Sequence, residues 1–93
     1  MSLVILTGFI LVPDSDYQAV KNELVIHEKL TLAEVGCLTF NVTPDQQNAH
    51  RFNVYEEFVD QAAFEHHQAR VKSSKWGEIT RYVERHYQVS ERV

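Results

Sequence analysis

Between Leu3 and Val12 the chain is almost continuously apolar, interrupted only by Thr7 and Gly8. A run of about ten residues rich in Val and Ile marks a strand that touches protein on both faces. Pro13-Asp14-Ser15-Asp16 stops it, because proline cannot donate to a ladder and any of the next three side chains can cap a helix. From Tyr17 to about Val35 the period changes. Tyr17, Val20, Leu24, His27 and Thr31 fall on one helical stripe, and Lys21, Asn22 and Lys29 fall elsewhere. That spacing predicts an amphipathic helix, with Gly36 placed to end it.

Cys37–Thr43 alternates, with Leu38, Phe40 and Val42 on one face and Cys37, Thr39 and Asn41 on the other. A polar turn over residues 44–49 leads to a second alternating run, with Phe52, Val54, Glu56 and Phe58 set against Asn53, Tyr55, Glu57 and Val59. Two half-buried strands this close in sequence predict an antiparallel hairpin. Asp60 is a good N-cap for a second helix over Gln61–Val71, whose apolar face carries Ala63, Phe64, His67 and Val71. Lys72–Gly77 reads as irregular, with Trp76 as an apolar anchor, and Arg81–Ser90 as a last strand.

The order β-α-β-β-α-β is the ferredoxin-like split arrangement, an α+β fold with both helices on one face of a four-stranded antiparallel sheet. The opposite face, with Thr39, Asn53 and Tyr55, then has no cover from this chain. A second copy would cover it.

Composition narrows the picture. The 93 residues, 44% hydrophobic and 24% charged, suit one domain over residues 1–93. A core this small leaves the fold marginal alone, which adds weight to a homodimer. The net charge of −4 argues against a nucleic-acid partner. No apolar run reaches the length of a membrane span, so no membrane role is expected. The single cysteine, Cys37, can form neither an internal disulfide nor a cysteine zinc site, which fits a reducing cytoplasm. Charge is uneven: residues 1–61 carry three basic and nine acidic side chains, whereas residues 62–93 carry six and four. The basic C-terminal third could favour an anionic or polarised ligand, or could be an ordinary solvated face.

Two residues could carry chemistry. His67 sits on the apolar stripe of the second helix, either as a core histidine satisfied by one hydrogen bond or as a base facing a cavity between helix and sheet. Glu56 has the inward parity of its strand, where an unpaired carboxylate is costly. The two could meet, as an acid/base pair or as an internal staple. His27 lies on the first helical stripe, and His66 on the flank of the second helix. No HExxH, GxSxG, Gly-rich phosphate loop or GxGxxG is present, and neither metal nor cofactor is expected.

The stretch FNVYEEFVDQAAFEHHQARVKSSKW, Phe52 to Trp76, resembles the antibiotic biosynthesis monooxygenase family of small dimeric α+β barrel proteins. Phe52, Glu56, Phe58, Asp60, Ala63, Phe64, His67 and Trp76 occupy the places of that family's pattern. EVGCLTFNV, Glu34 to Val42, matches its E-x-G-C/S pattern ahead of the second strand. The resemblance implies a homodimer joined through the sheet faces, with a pocket between sheet and helices in each subunit. It implies oxidation of a small aromatic, quinol or polyketide-type substrate by molecular oxygen without a cofactor. Isomerisation, or ligand binding without catalysis, are the other activities the scaffold accommodates. In that setting His67 does the proton work and Glu56 orients it, Phe40, Phe58 and Trp76 line the pocket, and Arg85 steadies an oxyanion. Lys72 stands where a second histidine is frequent. Gly77 stands where haem-degrading relatives carry histidine, which argues against haem.

Overall fold

The structure is a computed structural model that describes residues 2–93. Its elements are β1 (Leu3–Leu11), α1 (Asp14–Leu32), β2 (Cys37–Pro44), β3 (Arg51–Phe58), α2 (Gln61–Lys72), α3 (Lys75–Ile79) and β4 (Glu84–Arg92). The four strands form one antiparallel sheet in the order β2-β3-β1-β4. This is the ferredoxin-like α+β topology.

Alternation decides what each strand gives to the core. Val4, Leu6 and Ile10 of β1 pair with Phe58, Glu56 and Phe52 of β3, and Phe40 and Val42 of β2 pair with Glu56 and Val54. These residues, apart from the carboxylate, build the apolar core together with Val20, Phe64 and Trp76 from the helices. Ile5, on the opposite parity, is also buried. The Asp60 carboxylate accepts from the Ala63 backbone N–H at 2.8 Å and starts α2 as its sequence predicts.

Four features depart most from the sequence reading. α1 begins and ends three residues early. Pro13, extended at ψ 154°, is its N-cap, and no side chain caps it. Asp14 and Asp16 lie in the first turn, where they favour the helix dipole instead. Leu38 is half exposed rather than sharing a face with Phe40, because the register slips between Cys37 and Thr39 and leaves it as the extra residue of a bulge. The segment after α2 holds a one-turn helix, α3, capped by the Ser74 hydroxyl on the Gly77 N–H at 3.1 Å. Arg81–Val83 is a turn, so β4 starts at Glu84.

Gly8 sits in the middle of β1 with φ 147°, and a Cβ there would stand 1.9 Å from the carbonyl oxygen of His86 in β4. Glycine is therefore required where β1 and β4 approach each other. β4 is an edge strand whose residues are all exposed, including Arg85, Tyr87 and Val89 on the helix side. The helices cover β1, β2 and β3 but stop short of β4. The gap between β4 and the α2–α3 segment is the cleft described next.

Candidate active site

His67 is buried at the middle of the site, 3% exposed, and carboxylates flank both ring nitrogens. Its Nδ1 lies 3.1 and 3.0 Å from the two carboxylate oxygens of Glu34. Its Nε2 lies 3.4 Å from Oε1 of Glu56, close enough for an ion pair but off line for a hydrogen bond, so that buried oxygen has no hydrogen-bond partner. Phe58 backs the imidazole at 4.9 Å between ring centroids.

Glu34 is the residue that sequence reasoning missed, although it opens the EVGC segment quoted above. It lies in the turn from α1 to β2. Gly36 turns that chain with φ 95° and packs so closely on α2 that a Cβ would meet the Ala63 Cβ at 2.6 Å. The Gly36 carbonyl also accepts from the Val59 N–H at 2.8 Å, which ties the turn to the end of β3. The turn thus delivers the Glu34 carboxylate to His67 and Arg70, one helical turn apart on α2. Arg70 Nε donates to Glu34, and its Nη2 donates to the Thr31 hydroxyl at 2.9 Å.

Burial works against a charge on His67, but Glu56 and Glu34 outweigh it and hold the imidazole pKa above its ordinary 6.5. His27 behaves oppositely. It is buried 6.0 Å from His67, stacked on Trp76 at 4.7 Å and edge-on to Phe40, with Nδ1 unpartnered. Desolvation, then the charges of Arg70 and His67, lower its pKa to about 3, so it stays neutral. The pKa values of two neighbouring histidines are thus pushed in opposite directions.

A cleft of about 420 Å³ opens between β4 and the helices. Glu56 and His67 lie on its inner wall, and Arg85, Tyr87, Lys72 and Arg81 lie on its outer side and rim. The Arg85 guanidinium is held by the Thr80 carbonyl at 2.6 Å and hydroxyl at 2.9 Å. Tyr87 keeps 43% of its surface open. Desolvation, with the charge of Glu56, pushes its pKa up to about 12. The phenol therefore remains a hydrogen-bond donor.

Of the residues expected at the pocket, His67, Glu56 and Arg85 meet at this cleft. Phe40 and Phe58 do not line it; they stand behind His27 and His67 as packing. Trp76 lines a second, mostly apolar cleft of about 460 Å³ on the other side of His27, with Ile26, Leu30 and Arg70. Among the described residues no three His, Cys, Asp or Glu side chains group in a way that could hold a metal ion. No helix is long and apolar enough to cross a membrane.

Gly36→Ala is expected to destabilise the fold by about 1–3 kcal/mol, because alanine resists that φ and its Cβ strikes Ala63. The displaced turn would also draw Glu34 away from His67. Thermal melting should show the loss, and an NMR titration should show a lower His67 pKa.

The backbone has several structural counterparts. A candidate antibiotic biosynthesis monooxygenase from Deinococcus radiodurans superposes with a TM-score of 0.84 at 20% identity, covering 97% of this chain and 92% of that one. A conserved protein from Methanosarcina mazei Go1 gives 0.79 at 19% identity, over 100% and 95%. A second candidate monooxygenase of this kind, from Nitrosomonas europaea, gives 0.76 at 14%, over 96% and 86%. At these identities they establish the shared fold. No protein of curated function matches the chain significantly. The family profile described as antibiotic biosynthesis monooxygenase matches residues 5–79, from β1 through α3. With that match spanning both flanking carboxylates and His67, the chain belongs to the antibiotic biosynthesis monooxygenase family.

Proposed function

We propose that this protein is a cofactor-independent monooxygenase that oxidises a small hydroxylated aromatic, a quinol or polyketide-type compound, with molecular oxygen. The observation that carries the proposal is His67, buried between Glu34 and Glu56 on the wall of an open cleft. Glu34 fixes a proton on Nδ1, so neutral His67 turns its Nε2 lone pair towards Glu56. A proton taken from a bound hydroxyl then rests between Oε1 of Glu56 and Nε2 of His67, where two carboxylates stabilise the imidazolium. The electron-rich anion left behind passes an electron to oxygen, the radical and superoxide couple at ring carbon as a hydroperoxide that takes up the held proton, and loss of water leaves one oxygen atom in the product as a carbonyl. Arg85, held rigid by Thr80, faces the same cleft and can stabilise that anion.

The pH dependence follows from the raised His67 pKa. Accepting a proton requires neutral His67, so turnover should rise with pH through a value above 6.5. Glu56→Gln removes one of the charges that hold the proton, so the rising limb and the His67 NMR titration should both move to lower pH. An unchanged His67 pKa in that variant would remove Glu56 from the proton-handling pair. Oxygen uptake on mixing with quinols and anthrones tests the reaction itself. Conversion without oxygen uptake would make the protein an isomerase, and binding without conversion a carrier.

The same proposal includes a homodimer formed through the uncovered sheet face. That face carries a Thr39–Glu57–Tyr55 hydrogen-bond chain with both bonds at 2.7 Å, and Phe9 stacked between His86 and Arg51. Sedimentation at micromolar concentration should give a species of twice the 10.8 kDa chain mass. A single 10.8 kDa species would overturn it.

A further inference from the structure

The cleft that holds Glu56 and His67 has an excess of positive charge that proton transfer does not require. Lys72 at the end of α2, Arg81 in the turn before β4 and Arg85 in β4 all line it. They come from three separate segments, so their convergence is a product of the fold and not of a local run of basic sequence. The only carboxylate among the lining residues is Glu56, which His67 already faces. The chain as a whole carries a net charge of −4, so a triple cation here runs against the average of the molecule. Lys72 and Arg81 have no ion-pair partner among the described residues. Opposite them, the buried Oε1 of Glu56 is also without a hydrogen-bond partner.

The cleft therefore has two poles. Its inner wall offers a proton acceptor, and its rim offers unpaired cations. A neutral quinol would satisfy the first and leave the second idle. We propose that the ligand carries an oxyanionic substituent, a carboxylate or a phosphate, in addition to its reacting hydroxyl, and that Lys72 and Arg81 hold that group at the mouth of the cleft while Arg85 faces the reacting oxygen. Charge-assisted bonds to the rim would orient the ring so that its hydroxyl points at Glu56 and His67. Like-charge repulsion from Glu56 would oppose the reversed pose. The inference rests on the cleft being the ligand site proposed above and adds the class of compound it takes.

The test uses three ligands on the intact protein at low salt, by calorimetry: hydroquinone, 2,5-dihydroxybenzoate and 4-hydroxyphenyl phosphate. At least one acid should bind about tenfold more tightly than hydroquinone, the advantage expected of hydrogen bonds to charged groups. Which acid gains more identifies the carboxylate or the phosphate as the natural substituent. The advantage should shrink with added salt. It should vanish in Lys72→Gln/Arg81→Gln, two exposed positions, and persist in Lys21→Gln/Lys29→Gln, which removes the same charge from α1. Acids that bind no better than hydroquinone, a preference that survives in the rim variant, or no binding of any of the three at millimolar concentration would each overturn the proposal. Oxygen uptake is measured separately. Selective acid binding without oxygen uptake removes the monooxygenase reading alone, and oxidation of hydroquinone with no preference for acids removes this inference alone.

Discussion

His67→Ala should reduce oxygen-dependent turnover to background and also destabilise the protein by about 3–5 kcal/mol, the range for removing one partner of a buried ion pair. The two effects have different origins. Turnover is lost because the group that shares the transferred proton is gone, a contribution of about 10²–10⁴ in rate for a positioned acid or base. Stability is lost because the Glu56 carboxylate, with its side chain only 8% exposed, is left buried without its partner. Glu34 is less affected, since Arg70 still holds it. The double variant His67→Ala/Glu56→Gln separates the two: it should recover much of the stability, by removing the unpartnered carboxylate, and none of the turnover. For a domain of this size a loss of 3–5 kcal/mol lowers the melting temperature by roughly 15 °C or more, so the comparison is read directly from thermal melts. If the single variant melts like the wild type, His67 and Glu56 are not an ion pair. The linkage has a defined sign. The His67 pKa is raised in the folded state, so its stabilising contribution is complete below pH 6.5 and is lost as pH rises through the folded value.

The second large effect lies on the acid side and belongs to His27. Its pKa falls from 6.5 to about 3 on folding, so between those values the unfolded chain binds a proton that the folded chain refuses. Stability is intact above pH 6.5 and falls with decreasing pH at about 1.4 kcal/mol per pH unit from this one group until the folded value is reached. His27→Phe keeps an aromatic ring between Trp76 and Phe40, removes the unpartnered Nδ1 and abolishes this proton uptake. It should therefore be at least as stable as the wild type at pH 7 and distinctly more stable at pH 4. Denaturant titrations at the two pH values measure the difference. An acid limb of unchanged slope in the variant would show that carboxylates, not His27, govern acid unfolding.

Much of this architecture was legible because its signals are periodic. The alternation around Glu56 fixed its inward direction, and the stripe Ala63-Phe64-His67 with the Asp60 cap fixed the face of α2. Those two patterns placed Glu56 and His67 on one cavity from opposite walls with a hydrogen bond between them; the two are neighbours at 3.4 Å, but Oε1 of Glu56 has no hydrogen-bond partner. Non-periodic features were not legible. α3 is a single turn, too short to show a helical period, and its Ser74 cap reads as loop. β4 is exposed along its whole length in the single chain, so no burial pattern marks its start. Leu38 has the parity of a core residue until a bulge, which no composition signals, turns it outward. Glu34 reaches His67 only because Gly36 and Ala63 touch, a contact between residues 27 positions apart in the chain. In the sequence it shows as a motif without a role.

The cleft's outer wall has a consequence for how binding can be observed. Arg85 and Tyr87 sit on an edge strand with one sheet neighbour, whereas Glu56 sits on a strand paired on both sides. Backbone opening is cheapest at such an edge, so in the free protein the β4 amides should exchange with deuterium far sooner than those of β3. A molecule bridging the two walls would fasten the weak one to the strong one. Occupancy would then appear as slowed exchange confined to β4 and the turn before it, with β3 unchanged, which offers a label-free screen for ligands before any reaction is known.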